Sequence, residues 1–443
     1  MFSQQEAKNL IDKAIGYSKL PGCQIDLYSS EDVFIRFANN GITTSGYRVT
    51  QSLSISSVTD DKRHGNAVVN ELTDESLKRG VEQAEALARI SKTDPEDMPA
   101  LGPQKYPVLS NFDSFTGSAR GDVMIPHVKA VLDSARQSQL TAAGFIQRSA
   151  TAVAVGNKAG LFGYHTYTDS SLTNTMRTPG GASSGWASQT SVSLKDVNGE
   201  AAGRVSAEKC VRGAGARKKL DPGKYTVILE PAAVSDLVGY LGGSFGARDA
   251  EQGQSFLSKQ GGGTHLGEKM FPEYIALRSD PFNTTLAATP WGPSLLPNDR
   301  MAWIDKGVVK NFDYDRYWAS KAGKDPTPGT DNLVLDGQDY TLDDLIKSTD
   351  KGLLITRFWY IRVLQPQTLQ VTGLTRDGVF LVENGKVTDP VTNYRWNESP
   401  VRVLQNTKKL TRPVRAQGAE AGSSIVPAII ATEFNLASVS DAV

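Results

Sequence analysis

Four polar side chains near the end of the sequence could bind a peptide. Arg357, Tyr360 and Arg362 lie in one short stretch, and Arg395 follows further along. Arginine forms charge-assisted hydrogen bonds with carboxylates, and these side chains could hold a peptide backbone or a carboxylate if their strands face a cavity. The alternative is that they form cross-strand pairs or interface contacts. The sequence leaves both interpretations open.

The histidines and cysteines do not form a local metal-binding pattern. The histidines are far apart: His64, His127, His165 and His265. His265 lies in a glycine-rich stretch, where a solvated loop histidine is the default interpretation and a substrate contact is the alternative. Cys23 and Cys210 form no CxxC motif and no disulfide framework, which is typical of proteins in a reducing cytoplasm. We therefore expect no metal and no cofactor.

The segment from Tyr225 to Gly243 is predicted to be a strand followed by a helix. Residues 225–229 are rich in β-branched and apolar types, and Pro231 suits the first position of a helix. Apolar residues of this helix would pack on a sheet, and its polar residues include Ser235, Asp236 and Tyr240.

A meander of strands is predicted between Lys351 and Gln405. β-Branched and aromatic residues alternate with Arg and Thr, and the pairs Asp377-Gly378 and Asn384-Gly385 are typical of hairpin turns. We expect one face of this meander in a core and the other face lining something polar. Trp359 and Trp396 fit packing positions better than substrate platforms.

The first half of the chain combines helical and strand patterns. Ser3 and Glu6 form a capping box, and Thr73 is predicted to cap a second helix. Further predictions are listed by range: strands at 24–30 and 33–38 around a turn at 29–32, a strand at 46–58, a helix at 122–137, strands and hairpins within 141–197, a helix at 204–218, and a loop at 322–336.

A break at Asp221-Pro222-Gly223 suggests a domain boundary. We predict an α+β fold with two domains. Residues 1–220 would form a mixed sheet-and-helix domain, and residues 221–443 a mostly-β domain, barrel-like or sandwich-like. A chain of 443 residues is long for a single core, which agrees with two domains.

The charge balance argues against a nucleic-acid partner. Lys+Arg and Asp+Glu both number 48, and no basic stripe is visible, whereas nucleic-acid binders are usually basic. No apolar run approaches the roughly 18 residues of a membrane-spanning helix. The N-terminal residues lack the pattern of a signal peptide. We expect a cytoplasmic protein with no membrane association.

The predicted meander resembles the C-terminal region of the TldD/PmbA family. The resemblance rests on four strings: TRFWYIR at 356–362, TGLTRDG at 372–378, FLVENG at 380–385 and NYRWNESP at 393–400. Weaker similarity extends along the chain. The resemblance implies a dimeric, metalloprotease-related protein.

The same resemblance identifies Ser235, Asp236 and Tyr240 as degenerate positions of a metal motif. Proteolytic members carry His-Glu-x-x-x-His on the matching helix and add a late cysteine ligand, but here no cysteine follows Cys210. Serine is a poor zinc ligand, and tyrosine is an uncommon one. This departure resembles the PmbA/TldE side of the family. If the helix is a decayed metal site, its three polar residues should face a common cavity.

Three functional hypotheses follow from the sequence and the resemblance. The first is a non-catalytic subunit of a TldD/PmbA-type peptidase system that acts on unfolded peptides, paired with a TldD-like subunit or with itself. The second is an active peptidase with an atypical site around Ser235, Asp236 and His265. The third is a stand-alone peptide-binding homodimer.

Overall fold

The computed structural model describes residues 1–328 and 332–440. Helices and strands of the N-terminal half are listed here by their bounds: α1 (Gln4–Tyr17), β1 (Gly22–Ala38), β2 (Gly41–Val58), β3 (His64–Val69), α2 (Asp74–Ile90), α3 (Ser114–Ser118), α4 (Gly121–Gln137), β4 (Thr141–Asn157), β5 (Phe162–Arg177), β6 (Ser184–Ser191) and α5 (Gly199–Arg212).

The N-terminal strands form one antiparallel sheet in the order β3-β2-β1-β4-β5-β6. Apolar residues at odd-numbered positions of β1 pack in two separate hydrophobic cores. Ile25 and Leu27 pack in the core that contains residues of α1 and α2, whereas Val33 and Ile35 pack in the core that contains residues of α4 and α5. Because alternate residues of a strand share a face, these helices cover the same face of the sheet.

The predicted turn at residues 29–32 is wrong, because β1 runs through it as one continuous strand. Its polar residues suggest a turn, but Ser30 and Asp32 are buried and hydrogen-bonded inside the sheet. Ser30 Oγ donates to Asp32 Oδ1 (3.0 Å), and Asp32 Oδ2 accepts from Arg48 Nη2 (2.7 Å). These bonds offset the cost of burying the hydroxyl and the carboxylate.

Local helix signals in this half are confirmed. The capping box of Ser3 and Glu6 is present, and the Thr73 side chain caps α2. The helix predicted at 122–137 is α4, whereas the helix predicted at 204–218 is α5, which begins and ends several residues earlier. Boundaries are the least certain part of a sequence prediction, because helix periodicity does not determine where capping occurs.

The C-terminal half is dominated by strands. Its elements are β7 (Gly223–Leu229), α6 (Pro231–Gly242), α7 (Ala247–Glu251), β8 (Leu277–Ser279), β9 (Met301–Asp305), β10 (Val308–Val309), α8 (Arg316–Ala322), β11 (Leu333–Leu335), α9 (Leu342–Lys347), β12 (Lys351–Gln365), β13 (Gln370–Glu383), β14 (Lys386–Pro390), β15 (Asn393–Glu398), α10 (Pro400–Gln405), β16 (Thr407–Leu410), β17 (Val414–Gln417), β18 (Ser423–Val426) and β19 (Ile429–Ser440).

Five of these strands form a closed barrel. The order β12-β7-β19-β15-β13 closes on itself because β13 also pairs with β12. A second sheet has the order β10-β9-β8-β11-β18-β17, and α6 packs against strands of both sheets. The predicted α+β class with a barrel-like C-terminal domain is confirmed. The boundary between residues 220 and 221 stays a prediction.

Of the two predicted turns in the meander, one is confirmed and one is wrong. Asn384 and Gly385 connect β13 to β14 with positive φ angles of 50° and 74°. Asp377 and Gly378 instead lie inside β13, where their φ angles are 56° and 132° and the pairing with β12 shifts register. The two residues therefore form an irregularity within the strand, for which glycine and aspartate are as suitable as for a turn.

The loop predicted at 322–336 contains β11, and its residues 329–331 lie outside the described residues. Within the described residues, no helix has the length and apolar character needed to span a bilayer.

Candidate functional site

Helix α6 holds Ser235, Asp236 and Tyr240, the residues that the resemblance aligns with a metal motif. Its sequence begins after β7 with Pro231 at a first-turn position, which suits the fixed φ of proline. Residues 232–238 and Leu241 are all buried, because the helix lies between the barrel and the second sheet. Polar residues on such a helix need partners inside the protein.

Ser235 binds the hairpin that β17 and β18 form. Its Oγ lies 2.8 Å from the Oγ of Ser424, and it donates towards the carbonyl oxygens of Ala416 (3.3 Å) and Gly422 (3.2 Å). The side chain is fully enclosed by these contacts. Ser235 therefore acts as an anchor for both strands of the hairpin.

Asp236 holds the loop at the tip of the same hairpin, residues 418–422. Its carboxylate accepts hydrogen bonds from the backbone N–H groups of Ala419 (3.0 Å), Glu420 (2.9 Å) and Ala421 (3.1 Å). Burial raises the pKa of Asp236, although the three N–H groups act in the opposite direction. Asp236 is 0% exposed, so its carboxylate does not contact solvent.

Glycines allow the close approach of α6 and this loop. A Cβ on Gly418 would lie 2.4 Å from Asp236 Oδ1, and a Cβ on Gly239 would lie 2.3 Å from the Cβ of Ala421. The loop thus fills the space beside Ser235 and Asp236. The expectation that Ser235, Asp236 and Tyr240 face a common cavity is wrong, because the hairpin loop occupies that space.

Tyr240 binds β12 rather than the hairpin. Its hydroxyl donates to the carbonyl oxygen of Ile361 (3.1 Å), and burial raises the pKa of the Tyr240 phenol. Glu420 completes the connection, since it accepts from Ile361 N (2.9 Å) and from Arg362 Nη1 (2.8 Å). The helix, the hairpin loop and β12 are therefore fastened together around residues 360–362.

The donor set around α6 does not fit a zinc ion. The oxygens of Asp236 are used by backbone N–H groups, and neither Ser235 nor Tyr240 is a common zinc ligand. Across residues 1–328 and 332–440, no group of three or more His, Cys, Asp or Glu side chains is placed to hold a metal ion. His265 lies elsewhere, with its Nδ1 2.7 Å from Glu268 Oε2.

Two of the candidate substrate residues are engaged inside the protein. Arg357 Nε donates to Asp377 Oδ2 (2.7 Å), and its guanidinium stacks over Trp186 (4.7 Å to the ring centre) and Trp359 (5.6 Å). Arg395 Nη1 donates to Thr372 Oγ1 (3.3 Å), across the pairing of β15 with β13. These geometries agree with the cross-strand and packing alternative for both arginines.

The other two candidates are exposed on β12. Tyr360 is 52% exposed and has a φ of 55°, and the Arg362 guanidinium lies 4.4 Å from the centre of its ring. Val363 and Leu364 are also exposed, whereas Trp396 is buried in the barrel core. The structure therefore brings Tyr240, Tyr360 and Arg362 together and leaves His265 and Arg395 apart from them.

Sequence reasoning missed Glu420, Asp377 and Trp186. Asp377 had been assigned to a turn, and its pairing with Arg357 depends on the register of β12 and β13. The glycines at its two ends are the only local sequence pattern that marks the loop 418–422. The residues of α6 that it contacts lie far away in the sequence. Such long-range partners are not encoded in local periodicity.

Comparisons with known proteins place these observations in a family. Residues 222–438 match the family model for the "PmbA/TldA metallopeptidase C-terminal domain", and residues 23–88 match "PmbA/TldA metallopeptidase domain 1". A curated relative, "Metalloprotease PmbA" of Escherichia coli O157:H7, is 24% identical over 207 residues. That match covers 45% of this chain and 42% of the relative, so it spans less than half of the relative's length.

Solved structures share the fold over nearly the whole chain. TldE from Thermococcus kodakarensis superposes with a TM-score of 0.85 at 19% identity, covering 97% of this chain and 99% of that one. A proposed modulator of DNA gyrase from Bacteroides thetaiotaomicron gives 0.83 at 22% identity, covering 99% and 100%. A similar protein from Thermotoga maritima gives 0.82 at 17% identity, covering 97% and 99%.

Proposed function

Because the chain belongs to the TldD/PmbA family, we propose that it is a non-catalytic, metal-free subunit of a TldD/PmbA-type metalloprotease system that acts on unfolded peptides. The bonding of α6 carries this proposal. A catalytic zinc site needs protein ligands and an open position for water or substrate. Asp236 instead binds three backbone N–H groups, and the loop that supplies them fills the space where water would enter.

The proposed partner is a TldD-like subunit or a second copy of this chain. The end of β12 offers a surface for it: Tyr360, Val363 and Leu364 are 52%, 46% and 53% exposed, with Arg362 between them. β7 pairs with residues 353–355 of β12, and among the described residues no strand pairs with the far part of β12 on this side. Aromatic residues and arginine are enriched in interface cores.

The proposed role is to complete a closed chamber around the active partner and to help hold the peptide. Glu420 and Tyr240 form hydrogen bonds with residues 361 and 362 of β12. These bonds hold in place the part of the strand that carries the exposed side chains. An interface there should bury more than about 1,000 Å² in total. Such a surface can be tested without knowledge of the substrate.

The second candidate function is an active peptidase with an atypical site. The name of the E. coli relative, a metalloprotease, is the observation that favours it. The two candidates differ in the metal content and activity of the isolated chain. The third hypothesis, a peptide-binding homodimer, differs from both in needing no peptidase partner.

The test combines elemental analysis, peptide cleavage and oligomeric state. We expect far less than one zinc per purified chain, no cleavage of an unfolded peptide by the chain alone, and a dimer with itself or with a relative that carries His-Glu-x-x-x-His. The double substitution Tyr360→Ser and Leu364→Ser should weaken that dimer at least about tenfold.

Val68→Ser is the matched control, because Val68 is 62% exposed on β3, far along the chain from β12. It should leave the dimer unchanged. About one zinc per chain together with peptide cleavage would favour the active peptidase. A chain that stays monomeric alone and with the relative would contradict the subunit role.

A further inference from the structure

Arg148 is a buried cation in contact with neutral groups only. It lies in β4 and is 3% exposed. Its Nε donates to the carbonyl oxygen of Ala119 (2.8 Å), and its Nη1 donates to that of Glu31 (2.7 Å). Among the described residues, no carboxylate oxygen lies within ion-pair distance of its guanidinium, and its Nη2 makes no hydrogen bond. Buried charges are normally paired, so this arrangement needs an explanation.

The nearby carboxylates are bonded to other cations. Glu31 binds the amino group of Met1, and Asp32 Oδ2 accepts from Arg48 Nη2 (2.7 Å). Both lie near enough to favour the charged form of Arg148, while desolvation lowers the pKa of its guanidinium. Arginine remains charged in proteins despite such shifts. The positive charge is therefore present and has no contacting anion in the described part of the chain.

A cavity of about 690 Å³ lies next to this guanidinium. It is bounded by the edge of the N-terminal sheet and by the turn between α3 and α4. Val33 and the exposed Tyr47 of β2 supply apolar wall, and they lie on the same face of the sheet as Arg148 because Val33 pairs with both of these residues. A cavity of this size is in the range of small-molecule sites.

The start of α4 faces the same cavity. Arg120 and Gly121 line it, and the capping position at Arg120 provides no side-chain hydrogen bond to the first turn of this 17-residue helix. The backbone N–H of Gly121 makes no hydrogen bond within the described residues. Free N–H groups at a helix start favour an anion. Arg120 adds a second positive charge, and the salt bridges of the described residues do not include it.

We propose that this cavity binds a small organic monocarboxylate that carries an apolar or aromatic group. The carboxylate would accept hydrogen bonds from Nη2 of Arg148 and from the start of α4, and the apolar group would contact Val33 and Tyr47. A dianion such as phosphate fits less well, because the carboxylate of Glu31 also lines the cavity. The ligand could be a free small acid or the C-terminal end of a peptide, since both present the same chemistry.

The test is calorimetric titration of the full chain with defined probes. N-acetylphenylalanine should bind with a Kd on the order of 1 mM, and its neutral amide should bind at least about tenfold more weakly. 3-Phenylpropionate and the peptide Gly-Gly-Phe distinguish the two sources: tighter binding of the first indicates a free acid, and equal or tighter binding of the second indicates a chain end.

Variants connect the binding to the cavity. Arg148→Met and Arg120→Glu should each weaken N-acetylphenylalanine at least about fivefold. Arg36→Glu is the matched control, because Arg36 is an exposed arginine of the same sheet that does not line the cavity. It should leave the Kd unchanged. If Arg148→Met does not fold, Arg120→Glu at the exposed turn still tests the site.

Several results would overturn the proposal. They are equal binding of the acid and its amide, tighter binding of inorganic phosphate than of any carboxylate, an unchanged Kd in both cavity variants, or no heat of binding up to about 10 mM probe.

Discussion

Asp236 and Arg148 are both buried and ionisable, but their hydrogen bonding differs. Asp236 accepts from three consecutive backbone N–H groups, and the loop that supplies them closes over it. Arg148 donates to two carbonyl oxygens and leaves Nη2 beside a cavity. A buried charge with complete hydrogen bonding stabilises the fold and is closed to ligands, whereas an incompletely bonded one is available to them.

Asp236 and Arg148 show that the place of a residue in a motif and its bonding in the fold are independent. Ser235, Asp236 and Tyr240, which the resemblance aligns with a metal motif, hold the hairpin and β12 through their side chains. Arg148 matches no motif, yet it lies beside open space. The bonding of a polar group therefore indicates its role better than its place in a motif does.

The largest expected effect is the loss of the Asp236 anchor. Asp236→Ala leaves three N–H groups of the hairpin loop without their acceptor and a space in the buried interface with α6, so we expect the free energy of unfolding to fall by about 3–5 kcal/mol. Urea denaturation measures this. Asp325→Ala, at an exposed carboxylate, should change it by no more than about 0.5 kcal/mol. A loss below about 1 kcal/mol for Asp236→Ala would contradict the structural role assigned to Asp236.

A smaller effect on stability is expected when His165 is protonated. Its imidazole is buried, and burial favours the neutral form over the charged form. Burial lowers its pKa from 6.5 to about 4 in the folded state. Between pH 6.5 and pH 4 the unfolded chain binds a proton at His165 that the folded chain does not bind. The contribution of His165 to the free energy of unfolding is therefore complete above pH 6.5 and is lost as the pH falls towards 4. The expected loss is about 3 kcal/mol.

Urea denaturation at several pH values checks the His165 prediction. His165→Gln should flatten the pH dependence in this window, whereas His265→Gln, in the loop next to Glu268, should leave the His165 contribution in place. An unchanged slope in His165→Gln would show that burial of this imidazole does not control the acid sensitivity.

The smallest expected effect on stability is at Arg148. Arg148→Met loses two hydrogen bonds to carbonyl groups but also removes an unpaired buried charge, so we expect a change of no more than about 1 kcal/mol in either direction. Urea denaturation beside Asp236→Ala gives the direct comparison. A loss above about 3 kcal/mol would mean that Arg148 stabilises the fold as much as Asp236 does, which would contradict the difference between the two residues.

The sequence predicted those parts of the fold that depend on local signals. Pro231 and the apolar residues after it predicted α6, and Asn384-Gly385 predicted the turn after β13. The same signals misled at residues 29–32 and at Asp377-Gly378, because turn-type residues also occur inside strands when partners satisfy them. Arg357 pairs with Asp377 only because the strand register places them together.

The candidate site was less predictable than the fold. The α6 residues were found, but their partners lie in the loop 418–422, which carries no periodic pattern. Arg148 was missed because one arginine in an alternating strand has no distinguishing neighbours in sequence. Its unpaired state depends on Glu31 and Asp32 being bonded to other cations, and this is a property of the folded chain alone.

The closed barrel has a consequence for how the chain folds. Strand β19 lies between β7 and β15, and the pairing of residues 429–436 with 223–229 joins segments about two hundred positions apart. Until that last strand is available, β7 and β15 each present an unpaired edge, and such edges are open to wrong partners. Closure over so long a loop is also slow compared with local helix formation. Formation of the barrel therefore waits until β19 has been synthesised, and until then the edges of β7 and β15 stay open to other partners.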